Sequence, residues 1–307
     1  MVDTMRSVVA LASSVVLLAP PQARDTSAPW IESKSAHYSV FYQAGFEKDV
    51  EFARTWADRA ERLMKDKYGV TPVHYWMSIY LHPAPNAVAT VDNARNKCCT
   101  PDGAVNRGSI DLLAPSAPIW RDSRALSSLG LPKNDESYHA KILMSEYIPI
   151  GHWEAQATRP DGGWKYYTAP NWFVQGLQEY DAIFHTTTTN REVAGKRLFA
   201  WAAEHAGAFQ CCEAGLNITD AYNGGAAFMA FLAATFGENV HASLLRDTAP
   251  TFDAALADVT RPYSRAQLFE KFLDWLKHAA QVPGRGGPGS SPLQILGPNT
   301  KPTAARP

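Results

Sequence analysis

The stretch ILMSEYIPIGHW, residues 142–153, decides how this chain is read. It sets an acid, Glu146, inside an apolar run, then places Pro149 and, further on, His152. A proline there removes a backbone donor and crowds the preceding turn, so the helix that begins near Ser137 is expected to stop at it. The stretch also marks a change of pattern. Before it the chain alternates as strands do, and after it apolar residues recur at helical spacing.

Upstream, HYSVFYQ (37–43) and VHYWMSIYLH (73–82) alternate and are rich in aromatic and β-branched residues, the pattern of strands. Pro83 and Pro85 end the second. Between them, residues 47–67 carry Val50, Phe52, Ala53, Trp56, Ala60 and Leu63 at helical spacing. NRGSIDLLAPSAP (106–118) holds a third short strand. Downstream, helices are expected at 137–149, 169–185, 191–206, 224–237, 251–259 and 264–280, with Pro170 well placed near the start of the second. The fold class is α+β: a β-rich part over 30–130, a helical part over 131–280, and a cleft between them.

The chain of 307 residues is long enough to bury a large core, and its formal charge of −1 comes from interspersed acids and bases. With no basic block, a nucleic-acid partner is not expected. Residues 1–23 read as a signal peptide: Arg6, then the apolar run SVVALASSVVLLA (7–19), then Ala23 as the cleavage point, with Ala28 a second candidate. That run is too short for a comfortable span, so a secreted or periplasmic protein with no membrane segment after cleavage is expected. Residues 281–307 are rich in Gly, Pro, Ser and Thr and have too little to bury; they read as a disordered tail. The four cysteines form two adjacent pairs, Cys98-Cys99 and Cys211-Cys212, too tight for zinc clips. Neighbouring cysteines rarely bond to each other, so one pair is expected to meet the other, though the exact pairing stays open. NIT (217–219) is a glycosylation sequon if the chain is made in a eukaryote.

The order of segments carries a resemblance. HYSVFYQ, the long helix, MSIYLHP, GSIDLLAP, LMSEYIP, NWFVQGLQEY and YNGGAAFMAFLAATFG are similar, in sequence and in order, to the peptidase-MA-like gluzincins, over roughly residues 36–278. The resemblance implies a zinc peptidase fold in which two histidines on one helix and a glutamate on the next hold the metal, and a glutamate between the histidines activates water. Glu146, Gly176, Glu179 and Tyr180 match that pattern, but Ser145 and Pro149 stand at the histidine positions and Gln175 at the ligand glutamate. A hydroxyl, a proline ring and an amide do not replace two imidazoles and a carboxylate, so no metal and no other cofactor is expected.

What remains is a pair of acids, Glu146 and Glu179, on helices that the family packs below a cleft. They are candidate catalytic residues, because neighbouring carboxylates in a semi-buried cleft have their proton affinities pushed apart. Gln175, His152, Trp153, Trp172 and Tyr222 are candidate ligand-binding residues. The segment between the two helices, dense in Trp153, Trp164, Tyr166, Tyr167 and Trp172, offers faces for sugars or simply a packed loop. Tyr222 lies where the family often turns a tyrosine to the cleft. Three readings follow: a vacated protease fold that binds a peptide or glycan, a metal-independent hydrolase or lyase using Glu146 with Glu179, and a metallopeptidase rebuilt on Glu146, His152 and Glu179.

Overall fold

The first strands form because alternate residues can be buried on one face of a sheet. Met77, Ile79 and Leu81 of β3 (Tyr75–His82) and Ile110 and Leu112 of β5 (Val105–Leu113) are buried, while the residues between them lie on the other face. With β1 (Ile31–Lys34), β2 (Tyr38–Tyr42) and β4 (Arg95–Asp102) they make a five-stranded sheet of order β1-β2-β3-β5-β4. Strands β2, β3 and β5 run parallel, and the two edges, β1 and β4, are antiparallel. The computed structural model describes residues 28–280, apart from 92–93, 103–104, 160–162, 210–217 and 219, and apart from the side chains of 100–102. The expected signal peptide, the expected tail, Cys211, Cys212 and Asn217 lie outside the described residues.

Helix α1 (Glu47–Leu63) lays Val50, Ala53, Trp56, Ala57 and Ala60 on the sheet and continues through a π turn to Tyr68. The helical part comprises α2 (Glu136–Tyr147), α3 (Pro149–Ala157), α4 (Asn171–Phe184), α5 (Gly195–Glu204), α6 (Asn223–Phe236), α7 (Val240–Arg246), α8 (Phe252–Val259) and α9 (Arg265–Ala279). One continuous buried core runs from the sheet through these helices. No helix among the described residues is long and apolar enough to cross a membrane.

Two expectations are corrected. Pro149 does not end helical structure: it is the first residue of α3, where its missing donor is not needed, and the chain bends rather than stops. Residues 149–157 are therefore helix, not loop, and the buried Glu154 of α3 accepts from the backbone of Val73 and His74 at 3.2 and 3.1 Å, pinning α3 to the entry of β3. The second concerns the cysteines: Cys98 is bonded to its neighbour Cys99, across a cis peptide, at the point where the β4–β5 register shifts. The short edge strand β1, the edge strand β4, whose RNKCCTPD does not alternate, and the short α7 carry too little pattern to be read from sequence.

Candidate functional site

Helix α2 begins under an Asp135 cap, whose side chain accepts from the Ser137 amide at 2.8 Å. Ala140, Leu143, Met144 and Tyr147 go into the core. Tyr138, Lys141, Ile142, Ser145 and Glu146, at three- and four-residue spacing, share another face and line a cavity of about 600 Å³. Across from them lies Glu179 of α4, and beside it Asp220, Tyr222 and Asn223 at the entry to α6. The wall is completed by Ala94 and by Ser127, Ser128, Leu129 and Lys133, from a loop that turns at Gly130, where φ is +78°.

Two glycines set the distance between α4 and α6. A Cβ on Gly176 would fall within contact distance of the Gly225 backbone, and one on Gly225 would meet the Trp172 carbonyl. Only bare backbone allows this approach, and it carries Tyr222 and Asn223 to the same cavity as Glu179. Asp220 Oδ1 accepts from the Asn223 amide at 2.7 Å and fixes the start of α6.

Glu179 is doubly held: Lys141 Nζ contacts its Oε2, and Ser145 Oγ donates to its Oε1 at 3.2 Å. Glu146 is anchored through its backbone, whose carbonyl accepts from Asn96 Nδ2 at 2.6 Å. Burial, and then the charge of Glu179, push the Glu146 carboxyl up to about 7, against the opposing pull of Lys141. Burial also raises the Tyr222 phenol, with Glu146, Glu179 and Asp220 adding to the effect.

The structure brings Glu146, Glu179 and Tyr222 to one cavity and sends the other candidates elsewhere. His152 is fully buried, its Nε2 at 3.1 Å from Asp181 Oδ2 and its Nδ1 at 3.0 Å from the Tyr166 hydroxyl. Both ring nitrogens are thus engaged, and His152 does not line the cavity shared by Glu146 and Glu179. Trp153 packs on Tyr75, with centroids 5.7 Å apart, and Trp172 is buried against Phe173, Phe228 and Phe252. Of the aromatic segment, Trp164 and Tyr166 are core, while Tyr167 is exposed. Gln175, one turn before Glu179, is half-buried but does not line the cavity. Sequence reasoning missed Lys141. Its place on the face of Glu146 was legible from spacing, but its partner on α4 comes only from packing.

The zinc implied by the gluzincin resemblance does not fit these residues. Its positions hold a hydroxyl already donated to Glu179, a proline ring and an amide, and the nearby carboxylate carries an ammonium. Among the described residues no group of three or more His, Cys, Asp and Glu is arranged to hold a metal. Compared with known proteins, the chain matches no family model and no curated protein sequence.

Proposed function

We propose that the cavity is a metal-independent acid–base site, a hydrolase or lyase cleft in a vacated gluzincin-like fold, with Glu146 as the group that gives and takes the proton. The observation carrying this reading is the position of Glu146: the residue lines an open cavity of about 600 Å³, the size of small-ligand sites, beside a second carboxylate that is already engaged. A proton affinity near neutrality suits both halves of such a transfer. The lining mixes hydroxyl, amide, acid and ammonium groups with the apolar Ala94, Leu129 and Ile142, and half-exposed Tyr222 stands at its edge, a mixed surface that suits a glycan segment, with its hydroxyls and apolar ring faces. Export through the N-terminal segment would place that ligand outside the cytoplasm.

A second reading is binding of a peptide or glycan without turnover. It is favoured by the clamping of Glu179, whose two oxygens are both engaged rather than free to act as a nucleophile.

The experiment is a screen of oligosaccharides and peptides with the purified protein, repeated with Glu146→Gln and accompanied by metal analysis. Turnover that falls by about 10²-fold or more in the variant supports the acid–base reading. Equal binding by both proteins without turnover favours the second reading. Stoichiometric zinc in the parent, or turnover unchanged in Glu146→Gln, overturns the first.

A further inference from the structure

Lys141 lies where an acid–base cleft has no evident need of a lysine. Its side chain is 15% exposed and that of Glu179 9%, so the pair is largely withdrawn from water while still lining the cavity. Lys141 and Ser145 are one helical turn apart on α2. A single helix face thus presents an ammonium to one oxygen of the Glu179 carboxylate and a hydroxyl to the other. Such an arrangement holds the rotation of the carboxylate and sets a cation against it.

We infer that Lys141 is the cleft's own cation, a positioning residue that neutralises and aims Glu179 and so leaves Glu146 as the carboxyl of the pair that exchanges a proton with ligand. Two carboxylates cannot both stay charged in one partly desolvated space without a nearby cation, and here that cation is tethered to α2. The other groups facing the pair do not replace it. Asp220 adds negative charge from the α6 side, Tyr222 is neutral, and Asn96 from β4 bonds only the Glu146 backbone. Lys133 lines the cavity from the loop wall as a second cation, and Lys141 is the one in contact with the Glu179 carboxylate. Removing the Lys141 charge should therefore raise the proton affinity of Glu146, since the lysine opposes the two effects that already raise it.

The catalytic meaning of Lys141 rests on the acid–base reading, whereas its electrostatic role does not. The test is a carbon-detected NMR titration of glutamate carboxyls in the full chain, with Glu146→Gln assigning the signal. Lys141→Met should move the Glu146 midpoint upward by about one pH unit, a roughly tenfold gain in proton affinity, and Lys141→Arg should return most of it. Glu179→Gln, which removes the negative neighbour, should move the midpoint down, and carries the test if Lys141→Met does not fold. A Glu146 midpoint that stays in place in both Lys141→Met and Glu179→Gln overturns the inference. Titrations that shift as stated in a protein without turnover would retire the acid–base reading and keep Lys141 as the cation of a binding cleft. With a turned-over substrate, the pH profile of kcat/KM should move with the midpoint.

Discussion

Helix α4 carries two carboxylates two residues apart, on opposite sides, and each is met by a lysine. On the sealed side, Asp181 is wholly buried and takes Lys67 Nζ at 2.7 Å, the Tyr68 hydroxyl at 2.5 Å and His152 Nε2 at 3.1 Å, with His185 at 3.8 Å. Lys67 also reaches Glu238 Oε2 at 3.5 Å. Burial pulls the Asp181 carboxyl upward, but Lys67, the His152 bond and His185 outweigh it and hold it below the usual carboxylate range. On the open side, Glu179 has one lysine and one hydroxyl, and its neighbour Glu146 is pushed up to about 7 beside the cavity. One side completes its electrostatics and becomes architecture. The other leaves a proton unsettled where a ligand can reach it, which is the arrangement chemistry needs.

The largest break in that comparison should come from the sealed side. Lys67→Met leaves a buried carboxylate without its main cation, and a loss of about 3–5 kcal/mol is expected in urea unfolding. The sign of the pH dependence follows from the depressed Asp181: its stabilisation is present above its unfolded value of 3.8 and is lost as pH falls below it. Lys67→Met should remove that acid sensitivity. The Glu146 titration should stay where it is, and movement of it would merge the two sides into one network. Gly225→Ala comes next, at about 1–3 kcal/mol, because its Cβ must force α4 and α6 apart. Unlike Lys67→Met, it should also disturb the cavity, read as a shift in the Glu146 midpoint, since Tyr222 and Asn223 ride on α6.

Much of this asymmetry was out of reach of the sequence. Helical spacing placed α1 and α9, because each buries a stripe whose period survives in the letters, whereas α6 is buried on every side and shows only as a long apolar run. Glu146 and Glu179 do not come from spacing: the resemblance of the segments that carry them singles them out. That His152, Trp153 and Trp172 lie off the cavity could not be read, since a packed histidine or tryptophan and a ligand-facing one are identical in sequence until tertiary neighbours are known. Asp181, adjacent to the matched Tyr180, drew no notice, and its importance lies entirely in partners from residues 67, 68 and 152. Pro149 was read by its local rule, which holds inside a helix but not at a first turn.

The open side should show the opposite pH dependence. A carboxyl whose folded value is raised from 4.5 to about 7 binds its proton more tightly folded than unfolded. Stability is therefore lost as pH rises between those values, and the loss is complete above about 7. Glu146→Gln removes the charge, so at pH 8 the variant should be about 1–2 kcal/mol more stable than the parent, allowing for solvent screening of a half-buried group. At pH 4 the two should unfold together. Thermal unfolding at the two pH values checks this, and a variant less stable at pH 8 would mean that the ionised Glu146 is itself a satisfied structural group.

The smallest effect separates charge from hydrogen bonding within the clamp. Ser145→Ala deletes the donor at 3.2 Å from Glu179 Oε1 but leaves the Lys141 ammonium on Oε2. The lost bond is long and the carboxylate keeps its cation, so the cost should be about 1 kcal/mol or less in unfolding experiments. If Lys141 acts through its charge, the Glu146 midpoint should scarcely move in Ser145→Ala while it rises in Lys141→Met, because a neutral hydroxyl contributes little field at the neighbouring carboxyl. Equal shifts in the two variants would mean that the rotation of Glu179, and not the sign of its partner, sets the proton affinity of Glu146. The open side of α4 would then differ from the sealed side in geometry alone.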